Sequence, residues 1–175
     1  MFIGKDNMPE EHFRKLENMY HAAPCNIYYQ PKLVIARGAA TIKVEIKPEY
    51  FHAAGAVHGA LYFKIIDDAG YFAANSLVED VFLLTSNINV HLIRPVQSGF
   101  MQAEATVVSE TKNQIIADVV IKDAKCKQIG RGTGLYVRGK TALNPDIGYD
   151  INQHNLIGGY RKKFSRALKT TGNIL

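Results

Sequence analysis

His52-Ala53-Ala54-Gly55-Ala56-Val57-His58-Gly59-Ala60-Leu61-Tyr62-Phe63-Lys64-Ile65-Ile66-Asp67-Asp68-Ala69 begins as a loop of small residues and turns, near Gly59, into a helix. The helical pattern continues to Leu77, and its apolar side chains run nearly all the way round, which predicts a buried helix rather than a surface one. Gly59 stands at the start, where backbone N–H groups have no acceptor inside the helix and the dipole favours negative charge. Such donors suit an oxygen that becomes an oxyanion. Asp67 lies two turns on, in an otherwise apolar context where a carboxylate costs free energy unless it has a partner or a task.

On the N-terminal side, residues 9–23 predict a helix: Asn7 can cap it, Pro9 suits the first turn, and Glu10 and Glu11 suit the positive end of the dipole. Phe13, Leu16, Met19, Tyr20 and Ala23 share one side, and Pro24 ends the element. Leu33 to Ile46 alternates and predicts two strands turning at Arg37-Gly38. Beyond the central helix, four strand patterns occupy about residues 82–93, 100–111, 114–123 and 127–138, with turn compositions between them. Consecutive strands on short links make an antiparallel sheet, and with one long central helix the class is α+β, the sheet wrapping the helix. Residues 1–140 are read as the domain and 141–175 as a C-terminal loop with a short basic helix over Tyr160 to Lys169.

The 175 residues suffice for one domain with a core and are too few for two. Lys and Arg outnumber Asp and Glu by 21 to 16, a bias that suits an anionic ligand but is too mild and scattered to require nucleic acid. No apolar run reaches membrane-spanning length, and the start shows no signal-peptide pattern. Cys25 and Cys126 make no metal spacing, and a reducing cytoplasm is their simplest setting. The scattered histidines offer no metal site, and no Gly-x-Ser-x-Gly elbow is present.

With these residues in place, the segment resembles the phenylacetic-acid-degradation type of hotdog thioesterase, within the 4-hydroxybenzoyl-CoA thioesterase superfamily. That signature runs approximately Asn-x-x-Gly-x-x-His-Gly-Gly, with an Asp nine residues after the His; Gly55, His58, Gly59 and Asp67 fall in register. The resemblance covers roughly residues 30–139. His52 stands in the Asn position and Ala60 replaces the second Gly of His-Gly-Gly. The resemblance implies hydrolysis of acyl-CoA thioesters with no cofactor beyond the coenzyme A of the substrate. Asp67 would activate water or attack the carbonyl itself, and the Gly59 N–H would hold the oxyanion. Thr85, ten residues before Pro95, matches a Ser or Thr that orients the water. It also implies a site at a two-fold dimer interface, often within a dimer of dimers.

Each candidate has an ordinary reading too. Asp67 could be tied to backbone or to Lys64, Asp68 is read as structural or solvent-facing, and Thr85 could be a plain strand residue. His58 reads as a loop-organising hydrogen bonder, and His52 as a substrate contact or a packing residue. Gly130, Gly132 and Gly134 alternate along a strand and leave one face bare for close approach of a backbone or ligand. Arg131, Arg138 and Lys140 form a basic end suited to CoA phosphates, or simply solvated charge. Tyr62 and Phe63, with other aromatics, could line an acyl pocket or belong to the core.

Helix geometry adds one constraint. Gly59 and Asp67 are separated by about 12 Å along the axis at about 1.5 Å per residue, and by a rotation of about 80°. One helix cannot bring both to a single carbonyl carbon, whereas two antiparallel copies can. Two other functions remain open: a hotdog dehydratase or hydratase using His52 with Asp67, and a non-catalytic acyl-CoA-binding module.

Overall fold

The first half of strand β4 (Phe100–Glu110) and most of β5 (Gln114–Asp123) bury every second side chain, Met101, Ala103 and Ala105 on one and Ile115, Ala117, Val119 and Ile121 on the other. That alternation gives the sheet one apolar face, which must be covered. The computed structural model describes residues 10–152. The Asn7 cap, Pro9 and the basic tail helix lie outside the described residues.

The other strands and the α-helices are α1 (Glu10–Ala22), α2 (Pro24–Tyr29), β1 (Lys32–Ala36), β2 (Ala39–Glu45), α3 (Gly59–Asn75), β3 (Val81–Leu92) and β6 (Gln128–Ala142). Six strands form one sheet in the order β1-β2-β4-β5-β6-β3, antiparallel throughout. Helix α3 lies across the apolar face, with Leu61, Ile65, Ile66, Ala69 and Ala73 fully or almost fully buried. The expected α+β class and central helix are what the structure contains. One flank of α3 stays open, however, and Phe63 on it is 47% exposed.

The glycines of β6 let α3 come close. A Cβ at Gly132 would lie 2.7 Å from both the Asn89 carbonyl oxygen and Ile66 Cγ2. Gly134 and, on the helix, Gly70 leave a slot between strand and helix that the Tyr136 ring fills; a Cβ at either would collide with its hydroxyl. Through that slot the fully buried Tyr136 donates to the Asp67 carbonyl oxygen at 3.2 Å.

Three features depart from the sequence reading. Pro24 ends α1 but also opens α2, a role its fixed φ suits, and that short helix was not anticipated. Strand β6 runs to Ala142, so the boundary placed at 140 falls inside a strand. Past it, the Tyr149 hydroxyl hydrogen-bonds His12 Nδ1 of α1 at 2.7 Å, tying residues beyond 140 to the same packed unit. Helix α1 also closes the β1 edge: Glu17 Oε1 accepts from the Ile35 N–H at 2.8 Å and His21 Nε2 from the Leu33 N–H at 3.4 Å.

Gly134→Ala should destabilise the fold by about 1–3 kcal/mol through overpacking against Tyr136. A shifted denaturant midpoint at unchanged m-value checks this; an unmoved midpoint would mean the helix has room to spare over β6.

Candidate active site

On α3, Lys64, Asp67, Asp68 and Tyr71 follow i, i+3, i+4, i+7 spacing and so share a face. All four line a cavity of about 510 Å³. Met19 and Tyr20 of α1, Cys25 and Asn26 of α2, and Phe82 to Thr85 of β3 supply the rest of its main walls.

The strand side depends on a β-bulge. The pairing of β3 with β6 shifts between Thr85 and Asn87, which adds Ser86 and changes the phase of the strand. Before the bulge Leu83 is fully buried and Thr85 shares its face, opposite Tyr136 in the β6 register. After it Ile88 and Val90 pack on the core instead. An unbroken alternation would have turned either Thr85 or Ile88 away from the helix. As built, Thr85 Oγ1 donates to Asp67 Oδ1 at 2.9 Å.

Burial pushes the Asp67 carboxyl above the usual range, and the neighbouring Asp68 charge adds to this. The Thr85 hydroxyl and the Lys64 ammonium oppose the rise by favouring the carboxylate. Lys64 itself pairs with Asp68, not Asp67, at 2.6 Å. The same Asp68 oxygen accepts from the Tyr20 hydroxyl at 2.8 Å. Asp68 is thus a well-partnered cavity residue rather than a solvent-facing one. Its carboxyl is also raised by burial, against the pull of Lys64 and Tyr20.

The two loop histidines organise backbone. His58 is the N-cap of α3, its Nδ1 accepting from the Ala60 N–H at 3.0 Å. His52 Nδ1 accepts from the Ala54 N–H at 3.1 Å, inside a turn that Gly55 completes at φ +77°. Neither lines the cavity. The Gly59 N–H, first of the helix, meets no acceptor among the described residues.

Other sequence candidates are dispersed. Tyr62 is buried against the sheet and donates to the Arg94 carbonyl at 2.7 Å, while Phe63 lies on the open flank of α3; neither lines the cavity. Arg131 and Arg138 are seven positions apart on β6, about 23 Å at about 3.3 Å per residue, so they do not form one basic end. Arg131 pairs across from His91, Arg138 is bound to Asp80, and Lys140 is exposed. Sequence reasoning missed Lys64, Tyr20 and Asp68 as cavity groups. The i, i+4 spacing of Lys64 and Asp68 was the available signal, whereas the arrival of Tyr20 from another helix had none.

The sheet order, the helix laid across it and the loop leading into that helix agree with known proteins. The profile of the Thioesterase superfamily matches residues 54–129, from the small-residue loop into β6. The fold is the hotdog fold, and the matched stretch is similar to the thioesterase superfamily. Among solved structures it is similar to Escherichia coli PaaI, from the phenylacetic acid degradation operon, at TM-score 0.69 and 18% identity over 77% of this chain and 100% of that one. A thioesterase of Haemophilus influenzae aligns at TM-score 0.61 and 16% identity, over 69% of this chain and 87% of that one. A provisionally named esterase of Sulfurisphaera tokodaii is 29% identical over 103 residues, 58% of this chain and 76% of the relative. The match supports a hydrolase, as the sequence led one to expect.

The raised Asp67 carboxyl has a consequence for stability. The folded chain holds this proton more tightly than the unfolded chain, so ionising Asp67 costs folding free energy. The cost is absent below the unfolded value, about pH 4, and complete once pH passes the folded value. Asp67→Asn keeps an acceptor for Thr85 and removes the charge. It should therefore be at least as stable as wild type at neutral pH, with the difference fading towards pH ~4. Denaturant titrations at both pH values test this; a clear loss of stability at neutral pH would mean the carboxylate stabilises the fold.

Proposed function

We propose that this chain hydrolyses acyl-CoA thioesters, with Asp67 as general base or nucleophile and the Gly59 N–H as oxyanion donor. The observation that carries the reading is the Thr85–Asp67 hydrogen bond at 2.9 Å on the wall of a cavity large enough for an acyl group. In the base mechanism Thr85 and Asp67 hold a water, and Asp67 takes its proton as the oxygen attacks the carbonyl carbon. The Gly59 N–H stabilises the tetrahedral oxyanion. Collapse breaks the C–S bond, coenzyme A leaves as the thiolate, and the acid remains. In the nucleophile mechanism a carboxylate oxygen attacks first and water then cleaves the resulting anhydride.

Two copies complete the site in this reading. Within α3 the Gly59 N–H and the Asp67 carboxylate stand about 12 Å apart along the axis. Strand β3, at the sheet end that α1 does not close, leaves Leu84 and Leu92 more than half exposed, at 53% and 55%. An exposed apolar edge of this kind favours a partner strand. Antiparallel pairing of two β3 edges would bring Gly59 of one copy towards Asp67 of the other. Arg131 and Lys140 stand too far apart on β6 to act as one cluster, but each is a basic candidate for a single CoA phosphate, and a cytoplasmic setting suits the two exposed free cysteines. The dehydratase alternative loses support because His52 is engaged in its own turn.

Incubation with a panel of acyl-CoAs should release free thiol. Conversion of an enoyl-CoA without thiol would indicate a hydratase, and binding without turnover a non-catalytic module. In Asp67→Asn the rate should fall by about 10²–10⁴, the usual effect of a lost general base. Thr85→Ala should lose less, since orienting a water contributes less than deprotonating it; a larger loss would reverse the two roles.

Subunit complementation tests the shared site. Gly59→Pro removes the proposed donor and is tolerable at a first helical position, where the nearest atom to an added Cβ is the mobile end of Leu92 at 3.1 Å. Gly59→Pro and Asp67→Ala homodimers should each be folded and inactive. After co-refolding in equal amounts, half the dimers are mixed, each with one doubly damaged and one intact site, so activity should return to about a quarter of wild type. No recovery would mean that each site lies within one chain.

A further inference from the structure

The cavity wall carries two adjacent carboxylates and one cation, and the cation is committed to only one of them. Lys64 Nζ lies 2.6 Å from Asp68 Oδ2, with both side chains less than a fifth exposed, while Asp67 has only the neutral Thr85 hydroxyl. The Tyr20 hydroxyl shares Asp68 Oδ2 at 2.8 Å, and the Tyr20 and Tyr29 rings flank the ammonium at 5.5 and 5.8 Å. Two tyrosines, one from α1 and one from α2, therefore support one charge pair of α3 beside the group assigned as base or nucleophile. A surface ion pair would not need such support.

We propose that Lys64 is a positioning residue for the hydrolysis, an electrostatic partner that spares Asp67 the full negative charge of Asp68. The proposal rests on the thioesterase reading above and extends it. Two carboxylates one residue apart on a half-buried face repel, and like charges at such sites tend to share a proton. With Lys64 bound to Asp68 the pair is neutral, and Asp67 is the net charge that faces the substrate. The other groups facing this wall add no charge of their own when neutral: Tyr71 of α3, Thr85 of β3, Tyr136 of β6, Tyr20 of α1 and Cys25 of α2. Lys64 is thus the cation of the described wall. Its influence passes through charge, so its removal should alter where catalysis switches on with pH.

The test compares pH profiles of kcat/KM. In Lys64→Met the acid limb should move up by about one pH unit, so that at pH values on the limb the loss is about tenfold and shrinks as pH rises. Lys64→Arg should stay near wild type. Asp68→Asn should move the limb down, because Asp67 then keeps the cation without the competing anion. The double variant Lys64→Met/Asp68→Asn should lie between the two single variants. Opposite displacements from the two halves of one ion pair are not expected of a packing role, since breaking the pair from either side would then do similar damage. A limb that stays fixed in both single variants, or shifts in the same direction, overturns the proposal. The same comparison is made without substrate by following the Asp67 carboxyl carbon by NMR, its resonance assigned by its loss in Asp67→Asn. If wild type releases no thiol from any acyl-CoA, the hydrolase reading fails, and the NMR midpoints still decide the role of Lys64. Should Lys64→Met not fold, Asp68→Asn carries the decision, and an unmoved Asp67 midpoint there overturns the proposal.

Discussion

Everything at the site depends on how closely α3 lies on β6. A helix resting on ordinary strand side chains would stand further from the sheet, since each added carbon must be accommodated at interior packing density. Here Gly132 meets Ile66 directly, and Gly134 with Gly70 makes room for one ring, Tyr136. That ring fills the gap and its hydroxyl reaches the backbone of Asp67 at 3.2 Å. The position of the Asp67 backbone is therefore set by the core. The glycines accept the entropic cost of strand interiors without side chains, and close helix seating is what they provide in return.

Close seating alone would not place a hydroxyl beside the carboxylate. A regular β3 would put alternate residues on the helix side throughout, and its two halves could not both match the core and the site. The bulge at Ser86 separates the two requirements. Upstream, Leu83 fills the core and Thr85 reaches Asp67; downstream, Ile88 and Val90 take up the apolar duty. An extra residue in an edge strand disturbs few ladder hydrogen bonds, so the change of phase comes at small cost where it falls.

Much of this could be read from the chain because it is local. The buried helix, the N-terminal position of Gly59 and the bare face of β6 follow from spacing within single elements, and each is found in place; His58, read as a loop-organising hydrogen bonder, proves to cap the helix. The Thr85–Asp67 contact was reachable through family resemblance and not through periodicity, because a bulge leaves no mark in a run such as Leu83-Leu84-Thr85-Ser86-Asn87. Helix α2 was hidden behind Pro24, a residue that ends one helix and begins another with equal ease. The supposed basic end failed for a simple metric reason: seven residues are a short interval in sequence and a long one on an extended strand. Least legible was Tyr20, whose role depends on α1 being docked where it can meet Asp68.

In the proposed mechanism the cavity wall poses a problem that any carboxylate catalyst held away from water must meet. Burial favours the neutral acid, whereas a base or nucleophile must be charged. Thr85 offers a single hydrogen bond to Asp67, and Asp68 works in the wrong direction. Placing Lys64 against Asp67 would solve the charge problem directly. It would also tie down the lone pairs that, in that mechanism, take a proton or attack a carbonyl. Pairing the lysine with the neighbour instead leaves Asp67 free to react while still weakening the repulsion it feels. The arrangement needs Asp68 to be fixed, and Tyr20 is the group that fixes it from outside α3. Helix α1, which also closes the β1 edge, thereby acts on the chemistry of a residue it does not touch through any hydrogen bond of its own.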